Sequence, residues 1–249
     1  MNVLLLGDSH TVGHYGVALE KLLEGAGHNV TRVGIVGAAA YHYNTGKHKS
    51  LKGMWVKRVG DFDTAKTQRY DLAVVSLGTN DVTGWTPAES ARQIQALMQS
   101  LNATRKVWVG PPAFSAYAAQ NYNKDYAKKD LNTRVQELWA ILSPVYGRDA
   151  IDPRDATRPH VLKKDIHLDA PGGTAWAVNV YETLMGQDIP VAVEQQVEDQ
   201  VEDTPMVSDK PTGRDYLKLA IGLACIAAAV VIWRRRRDTG RLRSASSGK

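Results

Sequence analysis

Cysteine is nearly absent from this chain of 249 residues, in which the one thiol is Cys225. A single cysteine cannot form an intramolecular disulfide or a zinc site built from several thiolates. Its hydrophobic content of 43% and charged content of 23% are ordinary for a globular protein. The length predicts one α/β domain with an appendage rather than two full domains.

Net charge is scarce in the body of the chain. Residues 204–249 contain ten Lys or Arg against three Asp, which leaves 21 positive and 23 negative residues in the first 203. The formal charge of +5 therefore belongs to the C-terminal tail. A body that binds DNA needs concentrated positive charge, so this distribution gives no support for one.

The N-terminus lacks the charged n-region, long apolar h-region and small-residue cleavage site of a signal peptide. Its short apolar run leads instead directly to Gly7-Asp8-Ser9-His10. We interpret this run as a buried strand whose end carries a carboxylate and a hydroxyl out of the core. Such strand ends are where α/β proteins place their chemistry.

Strand and helix patterns alternate over residues 1–188. Apolar runs that stop at turn residues predict five strands, near 2–7, 29–35, 72–77, 107–109 and 150–151. Apolar spacing and capping signals predict helices near 13–27, 86–101, 124–142 and 171–185, with a short helix near 51–59. The alternation predicts an α/β fold, a flavodoxin-like three-layer sandwich around a mostly parallel five-stranded sheet.

The composition changes after residue 188. Residues 189–215 are acidic and contain proline, which predicts a linker. Residues 216–233 contain one lysine in an otherwise uncharged segment flanked by aromatic residues, and four arginines follow. We expect a single-pass membrane anchor there, with a buried core helix as the alternative. Residues 234–249 form a basic tail suited to anionic lipid or to packaged nucleic acid.

The orientation of this anchor is ambiguous from the sequence. The arginine block favours a cytoplasmic C-terminus and an external catalytic domain. A chain without a signal peptide would instead leave its N-terminal domain in the cytoplasm. A bacterial inner membrane, a host membrane and a virion membrane all stay open as locations, and the oligomeric state is not predicted.

The predicted strand ends carry a set of residues suited to acyl transfer. Ser9 is a candidate nucleophile and His167 a candidate base, while the amides of Ser9 and Gly37 and the side chain of Asn80 are candidate oxyanion donors. Each also has a simpler interpretation. Ser9 could cap a helix, Asn80 could form a turn, and His167 could be a surface histidine.

This set resembles the SGNH hydrolases, the GDSL-type esterases and lipases, over about residues 1–184. The matching blocks are Gly7-Asp8-Ser9 with Gly13, Gly37 in a Gly-Ile-Val-Gly turn, Gly78-Thr79-Asn80-Asp81, and His167-Leu168. The resemblance implies that Ser9 is the nucleophile, that His167 is the base, and that Ser9, Gly37 and Asn80 form the oxyanion hole. Asp8 and Asp81 would have supporting roles. It also implies that no metal or organic cofactor is needed.

Two positions depart from the family pattern. His10 replaces the leucine of the first block, and Lys164 stands where the family has the acid that orients the histidine. Asp165 lies one residue later and is our candidate for the triad acid, with Asp152, Asp155 or no acid as alternatives. A metal site made by Asp8, His10, His14 and Asp81 fits no known spacing.

Aromatic residues in the predicted loops are candidates for the substrate wall, with ordinary exposed aromatics as the alternative. They are Tyr41, His42, Tyr43, Trp85 and the tyrosines of 117–126. No long apolar lid is present, which favours a small acyl group. The sequence thus predicts a membrane-anchored serine esterase that removes O-acetyl groups from a glycan such as peptidoglycan. A lysophospholipase or thioesterase, and a non-catalytic membrane or virion protein, are the alternatives. Features of the chain also resemble phage-encoded members of the family.

Overall fold

The computed structural model describes residues 1–46, 58–121 and 130–186. The strands and helices are, in chain order, β1 (Asn2–Gly7), α1 (Ser9–Val12), α2 (His14–Gly25), β2 (Asn29–Ile35), α3 (Ala40–Thr45), β3 (Arg58–Val59), α4 (Phe62–Thr67), β4 (Tyr70–Ser76), α5 (Thr79–Gly84), α6 (Pro87–Ser100), β5 (Ala103–Val109), α7 (Ala116–Asn121), α8 (Leu131–Tyr146), β6 (Ala150–Ile151), α9 (Arg154–Thr157) and α10 (Ala170–Met185). Short 3₁₀ turns lie at Gly147–Asp149 and Arg158–His160.

The strands of this part of the chain form one sheet in the order β3-β2-β1-β4-β5-β6. All neighbours are parallel except β3, which runs antiparallel to β2. The five predicted strands are confirmed, and among themselves they follow the flavodoxin-like order 2-1-3-4-5. β3 is a sixth strand at the end of the short helix predicted near 51–59, so that prediction is wrong for Arg58–Val59, and its residues 51–57 lie outside the described residues. These residues instead pair with Gly34 and Ile35 on the edge of β2.

Helices cover both faces of the sheet. Leu4 and Leu6 of β1 point to one face, in a core cluster shared with α6 and α8. Val3 and Leu5 point to the other face, in a cluster shared with α2 and α10. Burial on both faces explains why β1 is apolar at successive positions instead of alternating. The result is the predicted three-layer arrangement.

Helix starts follow local capping residues. The side chain of Thr86 accepts a hydrogen bond from the Glu89 amide at 3.2 Å, which confirms the predicted start of α6. α8, in contrast, begins at Leu131 and not at Lys124, because Asp130 is extended and its side chain caps the helix. Residues 122–129 lie outside the described residues.

The ends of β1, β2 and β4 are aligned at one edge of the sheet, where Gly7 pairs with Gly34 and with Ser76. The predicted catalytic loops follow these strand ends. No helix within the described ranges has both the length and the apolar character needed to cross a bilayer. The predicted linker (189–215), membrane helix (216–233) and basic tail (234–249) lie outside those ranges.

Candidate active site

Ser9 is the first residue of α1 and follows directly on the tight turn that joins this helix to β1. The preceding Asp8 has φ −99° and ψ −146°, and its side chain accepts a hydrogen bond from the His10 amide at 3.0 Å. A Cβ atom on Gly7 would lie 2.1 Å from the Thr11 Oγ1 and 2.5 Å from the Ser76 carbonyl oxygen. Only glycine therefore lets the chain turn so closely against β4, which places Ser9 at the aligned strand ends.

His167 lies beside Ser9 although 158 residues separate them in the chain. Its Nε2 is 2.9 Å from the Ser9 Oγ, and its Nδ1 is 2.8 Å from the Asp165 Oδ1. The neighbouring Ile166 and Leu168 are buried, one in each core cluster. These two anchors hold the segment so that the intervening imidazole faces the serine.

Asp165 carries the carboxylate that contacts His167, one residue beyond the family position occupied by Lys164. The same Oδ1 accepts hydrogen bonds from the backbone amide of His167 at 3.0 Å and from its ring. Hydrogen bonding to His167 lowers the pKa of Asp165 from 3.8 to about 2, although its side chain is 44% exposed.

The alternative acids are engaged elsewhere. Asp152 accepts hydrogen bonds from Arg154, and Asp155 forms an exposed ion pair with Arg158. Among the carboxylates considered from the sequence, the structure therefore places Asp165 on the imidazole.

Asn80 is brought to the same edge by the turn after β4. Its Nδ2 donates to the Asp8 Oδ2 and to the Ala38 carbonyl, each at 3.1 Å. Ala38 follows Gly37, whose φ of 73° favours glycine. Asn80 is thus tied to the residue before Ser9 and to the residue after Gly37. These two hydrogen bonds occupy both N–H groups of the Asn80 side chain. One N–H group would therefore have to leave its present acceptor to donate to an oxyanion.

Asp8 and Asp81 are fully buried carboxylates that connect the loops of the site. Asp8 joins α1 to Asn80, and Asp81 accepts a hydrogen bond from the Ala40 amide at 2.8 Å. Burial raises the pKa of each to about 7, and the charge of Asp8 contributes to the shift at Asp81. Their predicted supporting role corresponds here to the packing of α1, α3 and α5 against one another.

The aromatic residues considered for the substrate wall divide into two groups. Tyr41, His42 and Trp85 are partly exposed and form a cluster, with the Tyr41 and Trp85 rings 5.3 Å apart. Tyr43 is buried and donates a hydrogen bond to the Gly7 carbonyl at 2.7 Å, so its assignment to the wall is wrong. Tyr117 is 46% exposed, and residues 122–126 lie outside the described residues.

His10 is the one residue of the site that sequence reasoning left without a role. It is 5% exposed, and its ring lies 5.2 Å from that of His167. The sequence feature that could have drawn attention to His10 was the replacement of the family's leucine by a histidine.

The described residues contain no group of three or more His, Cys, Asp or Glu side chains arranged to hold a metal ion.

Comparison with known proteins gives a family and a fold. Residues 5–175 match the model of the GDSL-like Lipase/Acylhydrolase family. A candidate arylesterase from Agrobacterium tumefaciens aligns with a TM-score of 0.54 at 19% identity, covering 74% of this chain and 98% of its own. A carbohydrate acetylesterase from Sinorhizobium meliloti aligns with a TM-score of 0.52 at 16% identity, covering 74% and 98%. A search of curated proteins found no match.

Proposed function

The chain belongs to the GDSL-like lipase/acylhydrolase family and is a carboxylic-ester hydrolase, and from this premise we propose that Ser9 removes short acyl groups, chiefly O-acetyl groups on a glycan. The observation that carries the proposal is the continuous contact from Ser9 through His167 to Asp165, at 2.9 Å and 2.8 Å. A serine, a base and an orienting acid in this arrangement are what nucleophilic acyl transfer requires.

In the proposed mechanism, the Ser9 Oγ attacks the ester carbonyl carbon while its proton moves to the His167 Nε2. Asp165 accepts the Nδ1–H of the same ring, which leaves Nε2 unprotonated and directed at the serine in the resting state. The backbone amides of Ser9 and Gly37 and the side chain of Asn80 donate to the oxyanion. The imidazolium then protonates the departing alcohol, and water hydrolyses the acyl-enzyme by the same route.

The glycan part of the proposal is supported by the cluster of Tyr41, His42 and Trp85. Trp85 follows α5, and its amide donates to the Asp81 carbonyl at 2.9 Å, next in sequence to Asn80. The Arg134 guanidinium also donates to the Trp85 carbonyl. These bonds fix the backbone of Trp85, and its indole packs against the rings of Tyr41 and His42. A ring restrained by such contacts loses less entropy when it packs against a sugar. The acetylesterase with a similar fold makes an acetylated carbohydrate a reasonable first substrate.

We further propose that the enzyme acts at a membrane, where residues 216–233 would anchor it near an envelope glycan. This part rests on the sequence alone. Fractionation of cells that express the full chain, followed by carbonate extraction, tests it. Release of the protein by carbonate would contradict an integral anchor.

The first test of the activity is hydrolysis of p-nitrophenyl acetate by the purified full chain. Ser9→Ala should lose at least about 10³-fold in kcat, since the nucleophile is gone and only binding and oxyanion stabilisation remain. The matched control is Ser100→Ala, a serine whose hydroxyl bonds the Leu97 carbonyl at the end of α6. Equal rates for Ser9→Ala and the wild-type chain would refute Ser9 as the nucleophile.

A second test separates the substrate classes. Acetate release from O-acetylated peptidoglycan or another acetylated polysaccharide is compared with fatty-acid release from a lysophospholipid at equal enzyme concentration. The proposal expects a kcat/KM for the glycan that exceeds that for the lipid. Preferential release of long fatty acids would instead establish a lysophospholipase, and hydrolysis of neither would leave the glycan claim without support.

A further inference from the structure

His10 supplies a second imidazole directly beside the proposed base. It occupies the position of the leucine that gives the GDSL motif its last letter. Its ring contacts those of both His167 and Trp176, with centroid distances of 5.2 Å and 5.1 Å. Trp176 is itself stacked on Tyr15 at 4.1 Å. His10 therefore packs against a buried aromatic pair as well as against His167.

The surroundings of His10 keep its ring neutral. Its Nε2 is buried and has no hydrogen-bond partner among the described residues, so a proton added to it would place in the core a cation without a hydrogen-bond acceptor. Burial and the neighbouring His167 both lower the pKa of His10 well below its ordinary value. His167, in contrast, has the Asp165 carboxylate on its Nδ1. Of the two imidazoles, His167 is the one equipped to carry the proton.

Building on the proposed hydrolysis by Ser9, we propose that His10 is a positioning residue that stabilises the imidazolium form of His167. A cation over the face of an aromatic ring, within about 6 Å of its centroid, is attracted to the π-electrons, and more strongly when both are shielded from water. The rings of His10 and His167 lie 5.2 Å apart at an interplanar angle of 49°, which brings the imidazolium within that distance of the His10 ring. Leucine would fill the same space and support the imidazole by packing, but it has no π-electrons.

Asp165 and Asp8 are described carboxylates that act on this pair of rings, and Asp165 acts on both of them. Asp165 contacts the Nδ1 of His167, and the buried Asp8 interacts electrostatically with it. The helices behind His10 present Trp176 and Tyr15, and the Tyr15 hydroxyl is hydrogen-bonded to Ser76. None of these groups changes when His10 is replaced. A shift in the titration of His167 would therefore report on the His10 ring.

The test is a nuclear magnetic resonance titration of the imidazole nitrogens in the full chain, with the His167 signal assigned from its loss in His167→Asn. His10→Leu should lower the titration midpoint of His167 by about 0.5 to 1 pH unit, which corresponds to the loss of one partly buried cation–π contact. His10→Phe retains a ring and should stay within about 0.2 pH unit of the wild type.

His14→Leu is the matched control. His14 is a second buried histidine, 7% exposed, whose Nδ1 also has no partner among the described residues. Its charge interaction is with Asp169 rather than with His167. The substitution should leave the His167 midpoint within about 0.2 pH unit of the wild type, because it removes a buried imidazole without touching the base.

Three results would overturn the proposal: an unchanged midpoint in His10→Leu, an equal fall in His10→Phe, or an equal fall in His14→Leu. If the Phe variant does not fold, the Leu variant and the His14 control decide. The acid limb of kcat/KM for p-nitrophenyl acetate should move with the midpoint in His10→Leu. A shifted midpoint in a chain without esterase activity would support the His10–His167 pairing and refute the proposed function.

Discussion

Replacing Asp165 tests how the proposed triad functions with a displaced acid. The single oxygen Oδ1 accepts both the backbone N–H and the ring Nδ1–H of His167. The carbonyl oxygen of asparagine can occupy the same place, so Asp165→Asn should keep both hydrogen bonds and lose only the charge. Asp165→Ala should lose the charge and the bonds together.

The size of each effect follows from the pKa of Asp165. Its fall from 3.8 to about 2 corresponds to roughly 2.5 kcal/mol of favourable interaction at full strength. The side chain is 44% exposed, so solvent screening reduces this to about 1 kcal/mol for the charge. We expect a fall in kcat of about fivefold for Asp165→Asn. Loss of a charge-assisted hydrogen bond in Asp165→Ala raises the cost to about 2 to 3 kcal/mol, or roughly 30- to 150-fold.

The assay is steady-state hydrolysis of p-nitrophenyl acetate at pH 8, with KM expected to stay within about twofold because Asp165 acts through His167. The matched control is Asp155→Ala, which removes a carboxylate whose side chain is 98% exposed. Wild-type activity in Asp165→Ala would show that Asp165 is not the acid. A fall in kcat of about 10⁴-fold in Asp165→Asn, as for a fully buried triad acid, would refute the claim that solvent exposure weakens the effect of the Asp165 charge.

Two further predictions concern the loops around the site. Burial raises the pKa of Asp81 from 3.8 to about 7, so the native state holds a proton that the unfolded chain has lost, and the free energy of unfolding falls as the pH rises between these values. In urea denaturation, the free energy of unfolding should fall between pH 5 and pH 8 in both proteins, but by at least about 1 kcal/mol less in Asp81→Asn than in the wild type. An equal fall in the two proteins would contradict this account. Gly37→Ala should cost about 1 to 2 kcal/mol because its φ is 73°, and should also lower kcat by displacing an oxyanion amide. Gly186→Ala, at φ 63°, should cost as much stability without lowering kcat, and a similar fall in kcat in both variants would remove Gly37 from the proposed oxyanion hole.

Features that depend on local sequence were predictable. The Thr86-Pro87-Glu89 start of α6 is encoded by a side-chain cap and a proline that lie within one turn. The parallel strands were recognisable because burial on both faces demands apolar residues at successive positions. The candidate site followed from these strands, since the carboxyl ends of parallel strands meet at one edge. That places Ser9 and Asn80 near one another on the sequence alone.

Features that depend on packing partners were not predictable. β3 is two residues long and exists because the edge of β2 is available for pairing, which no periodicity in residues 58–59 reveals. Tyr43 looks like an exposed loop aromatic until its hydroxyl is seen to bond the Gly7 carbonyl. The contact of His10 with His167 joins residues that are 157 positions apart. Asp165 was the candidate acid from the sequence, but Asp152 and Asp155 stayed open as alternatives until the path of the chain between Ile166 and Leu168 showed which carboxylate reaches the imidazole.

The central claim is that Ser9 is a nucleophile activated by His167, and covalent labelling tests it most directly. The full chain is treated with a fluorophosphonate ester, and the adduct is located by peptide mass spectrometry. The account predicts one adduct, on the peptide that contains Ser9, formed at least about 10²-fold more slowly in His167→Ala. No adduct, an adduct on another residue, or equal rates with and without the His167 imidazole would contradict it.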